Sequence, residues 1–405
     1  MPEMSNQLSN QSVAQIDYGV MLDRARALVP ALQERAARTE KLRGIPGESV
    51  DALHRTGLFR ALQPRRVGGS ELDYVALVDI AAILAEGDAS VGWVFGNLAS
   101  HHWMLAMFPE RAQATIWDED RNALIASSFV FPAGRATRVD GGYRIGGRWP
   151  FSSGVGPSTW NILGGIVTSD DAAAGAEYRI FLVNHTDYTI LDTWDVAGLG
   201  GTGSNDIECK DLFVPDHMTL AVSEIAGGPT PGSDASPGAL YELPVFALFP
   251  FVLSGAALGN AQGCLEAFVE GARVRASRYN LAKLADFQAI QIKIASASAK
   301  IDAARKIMRS ACIDAMAQAR EGRIPDLAEK TRYRRDGAFS VGLCTEAVST
   351  LFSASGAGGL YMSSPMQRQF RDAHAISAHI AFNFDAAGSN FGRVALGLAS
   401  ENPTL

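Results

Sequence analysis

Cysteine is scarce: Cys209, Cys264, Cys312 and Cys344 stand far apart in a chain of 405 residues. No CxxC pair and no histidine at ligand spacing accompanies them, which argues against a zinc site and a disulfide framework. A block of one charge sign is also missing. The 36 basic and 43 acidic residues are interspersed to a net charge of -7, so no basic face suits nucleic acid or an anionic membrane. No run of about 18 apolar residues stands out, and a membrane span is not expected. Met1 to Gln15 is polar, without the charged start and apolar core of a signal peptide. A cytoplasmic location is the expectation. There is no strand-GxGxxG-helix unit either, so the chain has no evident site for a nicotinamide cofactor.

What is present is a chain too long for one growing core, with room for two or three packed subdomains. Residues 1-16 read as a flexible N-terminus. Over 17-122 the apolar period is helical: Val20, Leu22, Ala25, Leu28 and Leu32, then Val75, Leu77, Ile80 and Ile83, recur at helical intervals. Over 123-225 the period falls to two, as in Tyr143-Arg144-Ile145 and Tyr178 to Val183, with Gly, Asp and Asn turns between. Residues 226-240, rich in Gly, Pro and Ser, read as a surface loop. Helical periodicity returns over 241-405, where Phe287, Ile290, Ile294, Ile301, Met308 and Cys312 mark one helix face. The Ala and Ser residues between them let helices approach closely in a bundle.

Four local segments carry chemistry. The strand Tyr143 to Ile145 runs into Gly146-Gly147-Arg148-Trp149-Pro150-Phe151-Ser152-Ser153-Gly154, which can also be read simply as a Ser-Ser-Gly turn. Gly198-Leu199-Gly200-Gly201-Thr202-Gly203-Ser204 is a Gly-rich loop, whose backbone can approach a ligand closely, ahead of Phe213-Val214-Pro215. Arg275 and Arg278 precede Asp286-Phe287-Gln288. Gly358-Gly359 is followed by Arg371-Asp372 and by His374 and His379. Upstream, Ser90-Val91-Gly92-Trp93 leads to His101-His102-Trp103.

In that order these segments resemble the acyl-CoA dehydrogenase superfamily, over about residues 60 to 395. The resemblance implies an α+β, mainly α fold: an N-terminal helical domain, a middle β-barrel-like domain and a C-terminal four-helix bundle. It also implies a flavin held by Trp149, Phe151, Ser152, Ser153, Thr202, Ser204, Gly358, Gly359 and one of Arg275 and Arg278. Dehydrogenases of this type need a carboxylate base, commonly a Glu shortly after the Arg-Asp pair. Here Arg371 to Asp385 contains no Glu. Glu242 and Glu266, in an earlier region, keep a dehydrogenase open as an alternative, and a noncatalytic scaffold is another.

The histidines point to the two-component flavin-dependent monooxygenase branch. That resemblance implies reduced FMN or FAD supplied by a separate NAD(P)H:flavin reductase, O2 as co-substrate, and a C4a-hydroperoxyflavin route to hydroxylation of a small aromatic, phenol or indole in type. His379 and His101 would be catalytic, with Ser152 and Ser153 sheltering the flavin. Trp93, His101, Phe129, Phe382 and His374 are the substrate-side candidates. Asp385 could orient His379 only if the helix breaks between them. A homotetramer is implied as well.

Overall fold

The computed structural model describes residues 17-168, 176-276 and 282-405. The expected N-terminal tail, Arg278 and the 169-175 segment lie outside the described residues. Helices α1 (Tyr18–Leu42), α2 (Gly47–Thr56), α3 (Val75–Gly87), α4 (Ala89–Leu105) and α5 (Glu110–Trp117) come first. Asp88, extended at the α3/α4 junction, caps α4 by accepting the Ser90 N–H at 2.9 Å. Every residue of α4 is buried, so its composition, apolar on all sides with a few small polar residues, places it in the interior.

Among the described residues eight strands follow: β1 (Ile125–Ser128), β2 (Gly134–Val139), β3 (Gly142–Ser152), β4 (Trp160–Thr168), β5 (Glu177–Asn184), β6 (Thr189–Leu191), β7 (Asn205–Pro215) and β8 (Thr219–Ala221). They form one sheet in the order β6-β7-β3-β2-β4-β5-β8, with β1 added beside β4. The β1 and β2 pairings with β4 are parallel and the remaining ones antiparallel. A bulge breaks the β3/β7 register between Trp149 and Ser152. It reverses which side chains point inward at the end of β3.

The C-terminal bundle consists of α6 (Val245–Val274), α7 (Gln288–Arg320), α8 (Leu327–Ala354), α9 (Pro365–Ser377) and α10 (Phe384–Ala395). Gly255, Gly259 and Gly263 recur every four residues along α6. A methyl at any of them would strike a carbonyl oxygen of α3, at Val78, Ala82 and Glu86 respectively. The glycine row therefore allows the near-contact that joins the N-terminal helices to the bundle.

Helix α6 is long and apolar enough to cross a membrane, with a mean hydropathy of 1.4, yet 89% of that window is buried inside the protein. Its Pro, Gly and Asn residues interrupt the apolar run in the sequence, and the helix serves as the central core element. The 226-240 segment has no helix or strand before the 3-10 turn at Ala239–Glu242, but it is not merely superficial. Ser236 is buried and donates to Gln113 at 2.9 Å, and Gly232 packs on the carbonyls of Ala106 and Phe108.

Candidate active site

The end of β3 meets α4 and the Gly-rich loop. Phe151 has φ +66°, uncommon for a residue with a Cβ, and its ring is 59% exposed. It lies edge-on to Trp194 with centroids 6.3 Å apart. This turn directs Ser152 and Ser153 inward together. Ser152 accepts from Asn161 Nδ2 at 2.9 Å, and Asn161 Oδ1 is buried without a partner. Trp149, expected against the flavin, is instead fully buried in the β-sheet core. Its indole N–H donates to Gly164 O at 2.7 Å.

Ser153 begins a chain of buried hydroxyls. Trp93 Nε1 donates to Ser153 Oγ at 3.0 Å, Ser153 Oγ lies 2.8 Å from Ser204 Oγ, and Ser204 Oγ lies 2.7 Å from Thr202 Oγ1. Thr202 Oγ1 donates to Leu199 O at 2.9 Å. Thr202 and Ser204, expected as donors to the cofactor, thus direct their hydroxyls into this chain. The Arg371-Asp372 pair anchors the same loop. Asp372 accepts the Leu199 N–H at 2.7 Å, and Arg371 donates to Ala197 O at 2.6 Å and pairs with Glu40 on α1. Burial, and secondarily the like charge of Asp88, push the Asp372 carboxyl up to about 7.

The two candidate catalytic histidines face one aromatic cluster. His101, fully buried on α4, lies edge-on to Phe129 at 6.2 Å. Phe129 lies edge-on to Phe249 on α6 at 5.7 Å, and Phe249 is 6.1 Å from His379. Trp93 and Phe382 complete the ring around His379, at 5.5 and 5.9 Å. His379 does not sit on a helix, as its sequence context suggested. It caps the 3-10 turn Ile380–Phe382 in the break between α9 and α10.

Hydrogen bonds define the tautomers. His101 Nδ1 bonds the Ile125 carbonyl, which only accepts, so Nδ1 carries the proton and Nε2 is a bare acceptor. That Nε2 is buried without a partner. His379 Nδ1 accepts the Ala381 N–H at 3.2 Å, so its neutral ring carries the proton on Nε2. Burial lowers both imidazoles to about 4. The charge of Arg334 adds to the effect at His379.

Other expectations fare differently. Arg275 is exposed and donates to Ser355 O at 3.0 Å, with its guanidinium packed on Gly358. Gly358 and Gly359 lie in the 3-10 turn Gly356–Leu360 beside it. His374 is not at the aromatic cluster: it is exposed on α9, 3.2 Å from Ser349 Oγ of α8 and against Phe370. The helix does break before Asp385, which is exposed at the start of α10, and His379 is oriented by Ala381 instead. Glu266 is exposed on α6 and bonded to Gln262. His102 accepts from Trp117 Nε1 at 3.2 Å, as a core histidine does. Sequence reading missed Arg334 on α8. It donates to Phe246 O at 3.2 Å, has no ion-pair partner among the described residues, and is lowered by burial to about 10. Nothing in a run of arginines marks which one turns inward.

Helices, sheet and bundle, joined where hydroxyls, an exposed aromatic and two neutral imidazoles converge, define a flavoprotein scaffold. The acyl-CoA dehydrogenase N-terminal domain family matches residues 20–117, and its C-terminal domain family matches residues 251–384. The chain is 37% identical to the oxygenase component of an FADH(2)-dependent resorcinol hydroxylase from Rhizobium sp., over 93% of this chain and 94% of that protein. It is 37% identical to the flavin-dependent monooxygenase oxygenase subunit HsaA of Rhodococcus jostii, over 93% and 98%. The crystal structure of 3-HSA hydroxylase from Rhodococcus sp. RHA1 superposes with a TM-score of 0.90 at 36% identity, covering 96% of this chain and all of that one. The Streptomyces protein XiaF, in complex with FADH2 and glycerol, superposes at 0.87 with 26% identity, covering 96% and 98%. The chain belongs to the acyl-CoA dehydrogenase family, among its flavin-dependent monooxygenase oxygenase components. It is an oxidoreductase of the hydroxylase type.

Proposed function

We propose that this oxygenase hydroxylates a small phenol, with His101 as the base toward the phenolic proton and His379 as a hydrogen-bond donor toward the activated oxygen. The opposite tautomers of the two rings carry this reading. Reduced flavin, when bound, supplies the electrons that activate O2 for transfer to the ring. The orphaned Asn161 Oδ1 and His101 Nε2, the Ser153 hydroxyl and the exposed Phe151 face suit a polar-edged planar group beside an aromatic substrate. Phe151, Ser152 and Ser153 would hold the flavin ring, with Arg275, Gly358 and Gly359 toward its phosphate end.

The protein's own part is positioning and proton control. His101 Nε2 accepts a hydrogen bond from the phenolic O–H, which raises electron density on the ring carbons, and takes the proton only as oxygen transfer to the ring makes it strongly acidic, because burial opposes a protonated His101 beforehand. Phe129, Phe249 and Phe382 exclude water and orient the ring. His379 stays neutral because burial and Arg334 oppose its protonation, so its Nε2–H remains a donor without acidifying the site. Indoles, which lack an acidic hydroxyl, would gain less from His101.

Oxygenase components take reduced flavin from a separate reductase. Association of copies of this chain, a homotetramer by resemblance, is supported by exposed apolar side chains at the end of α6, Val274, and in the turn after α8, Leu360, Tyr361 and Met362. The reading is tested by supplying the protein with a generic flavin reductase, NADH and a panel of phenols, indoles and acyl thioesters. Catechol-type products from phenols are expected. Oxidation of a thioester with no phenol hydroxylated would overturn it.

A further inference from the structure

The chain of hydroxyls beneath Ser153 has a forced direction. A hydroxyl has one proton to donate and two lone pairs. Leu199 O can only accept, so the proton of Thr202 goes to it, at 2.9 Å. The proton between Thr202 and Ser204 must then come from Ser204, and the one between Ser204 and Ser153 from Ser153. Trp93 fills one lone pair of Ser153 with its indole N–H. Ser153 is left with a single free lone pair and no free proton.

The far end of the chain cannot turn to reverse this order. Leu199 has φ +54° and its carbonyl takes three donors: Thr202 N at 3.0 Å, Thr202 Oγ1, and Trp194 Nε1 at 3.0 Å. Its N–H is held by Asp372. A methyl at Gly198 would meet the carbonyl of Arg371, so the loop and α9 are in contact at this point.

We infer that Thr202 and Ser204 make Ser153 an obligatory acceptor, and that this polarity selects flavin in the redox state that presents an N–H. The inference rests on the flavin reading above. Reduced isoalloxazine carries hydrogen on N5, whereas oxidised isoalloxazine presents a bare nitrogen there. An acceptor-only serine bonds the first and opposes a lone pair of the second. Thr202 and Ser204 are positioning residues that act through Ser153, without touching the ligand themselves.

Anaerobic titration measures dissociation constants for oxidised and dithionite-reduced FMN and FAD with the wild type, Thr202→Val, Ser204→Ala and Ser204→Thr. Wild type is expected to favour the reduced form. Ser204→Ala and Thr202→Val release the Ser153 proton to face the ligand, and the preference falls about tenfold. Ser204→Thr keeps the hydroxyl and keeps the preference. An unchanged preference in both disrupting variants, with wild-type melting temperatures, overturns the inference and leaves the flavin reading intact. Wild type that binds neither redox form overturns the flavin reading itself, and the inference with it. The midpoint potential of flavin bound to wild type reads the same selection without any substitution. A positive shift from free flavin is expected, and no shift or a negative one overturns the selection.

Discussion

His101 and His379 present the same Nε2 edge in opposite tautomers to the aromatic cluster that links them: His101 a bare Nε2, His379 an Nε2–H. The carbonyl of Ile125 and the amide of Ala381 impose the difference. Nitrogen-15 NMR of histidine-labelled protein should show His101 protonated on Nδ1 and His379 on Nε2. The same tautomer at both sites would contradict the assignment of base and donor.

Substitution separates these roles. His101→Leu should lower the single-turnover hydroxylation of a phenol by about 10²- to 10⁴-fold, the usual contribution of a positioned base, with flavin affinity near wild type. His379→Gln retains an N–H donor and should keep more product per flavin oxidised than His379→Leu, which should release more hydrogen peroxide instead. The ratio of product to peroxide is the measurement.

Both imidazoles are lowered to about 4, so neither titrates near 6.5. Hydroxylation by preloaded protein should therefore show no step near pH 6.5. The consequence for stability has a definite sign. In the unfolded chain each histidine takes up a proton below about pH 6.5, whereas in the folded protein it stays neutral to about pH 4. Folding stability attributable to them is intact above that window and falls as pH drops through it. His101→Gln should flatten the slope of melting temperature against pH between 6.5 and 4.

Asp372 acts in the other direction. Its carboxyl is raised to about 7 in the folded protein, so the folded state favours its protonated form. Its contribution is greatest below the ordinary carboxylate range and declines as pH rises to about 7, by at most roughly 1.4 kcal/mol per pH unit. Asp372→Asn keeps an oxygen for the Leu199 N–H and removes the titration. The variant should therefore gain on wild type as pH rises from 4 to 7, read from paired thermal melts.

The order of helices, strands and bundle was legible because period and turn chemistry are local properties, and the Gly-rich loop and Ser-Ser-Gly segment stood out for the same reason. What escaped depended on contacts distant in sequence or on a broken period. A period-two reading of β3 cannot place Trp149 in the core, Phe151 outside and both serines inside. The bulge and the positive φ of Phe151 do that. His374 and His379 lie five residues apart and both read as site residues in the sequence, yet α9 ends between them and only His379 reaches the aromatic cluster. The task of Asp372 is visible only once α9 lies against Leu199, from which it is 173 residues distant. Arg334 is one of five arginines between residues 320 and 335, and only the fold turns it toward Phe246.

The most direct measurement is a single turnover of protein preloaded with reduced flavin, mixed with ¹⁸O₂ and a small phenol, with product analysed by mass. One ¹⁸O atom is expected in the hydroxylated ring, and none when solvent water carries the label. Unlabelled product, or no hydroxylation alongside reduction of bound oxidised flavin by a thioester, would contradict it.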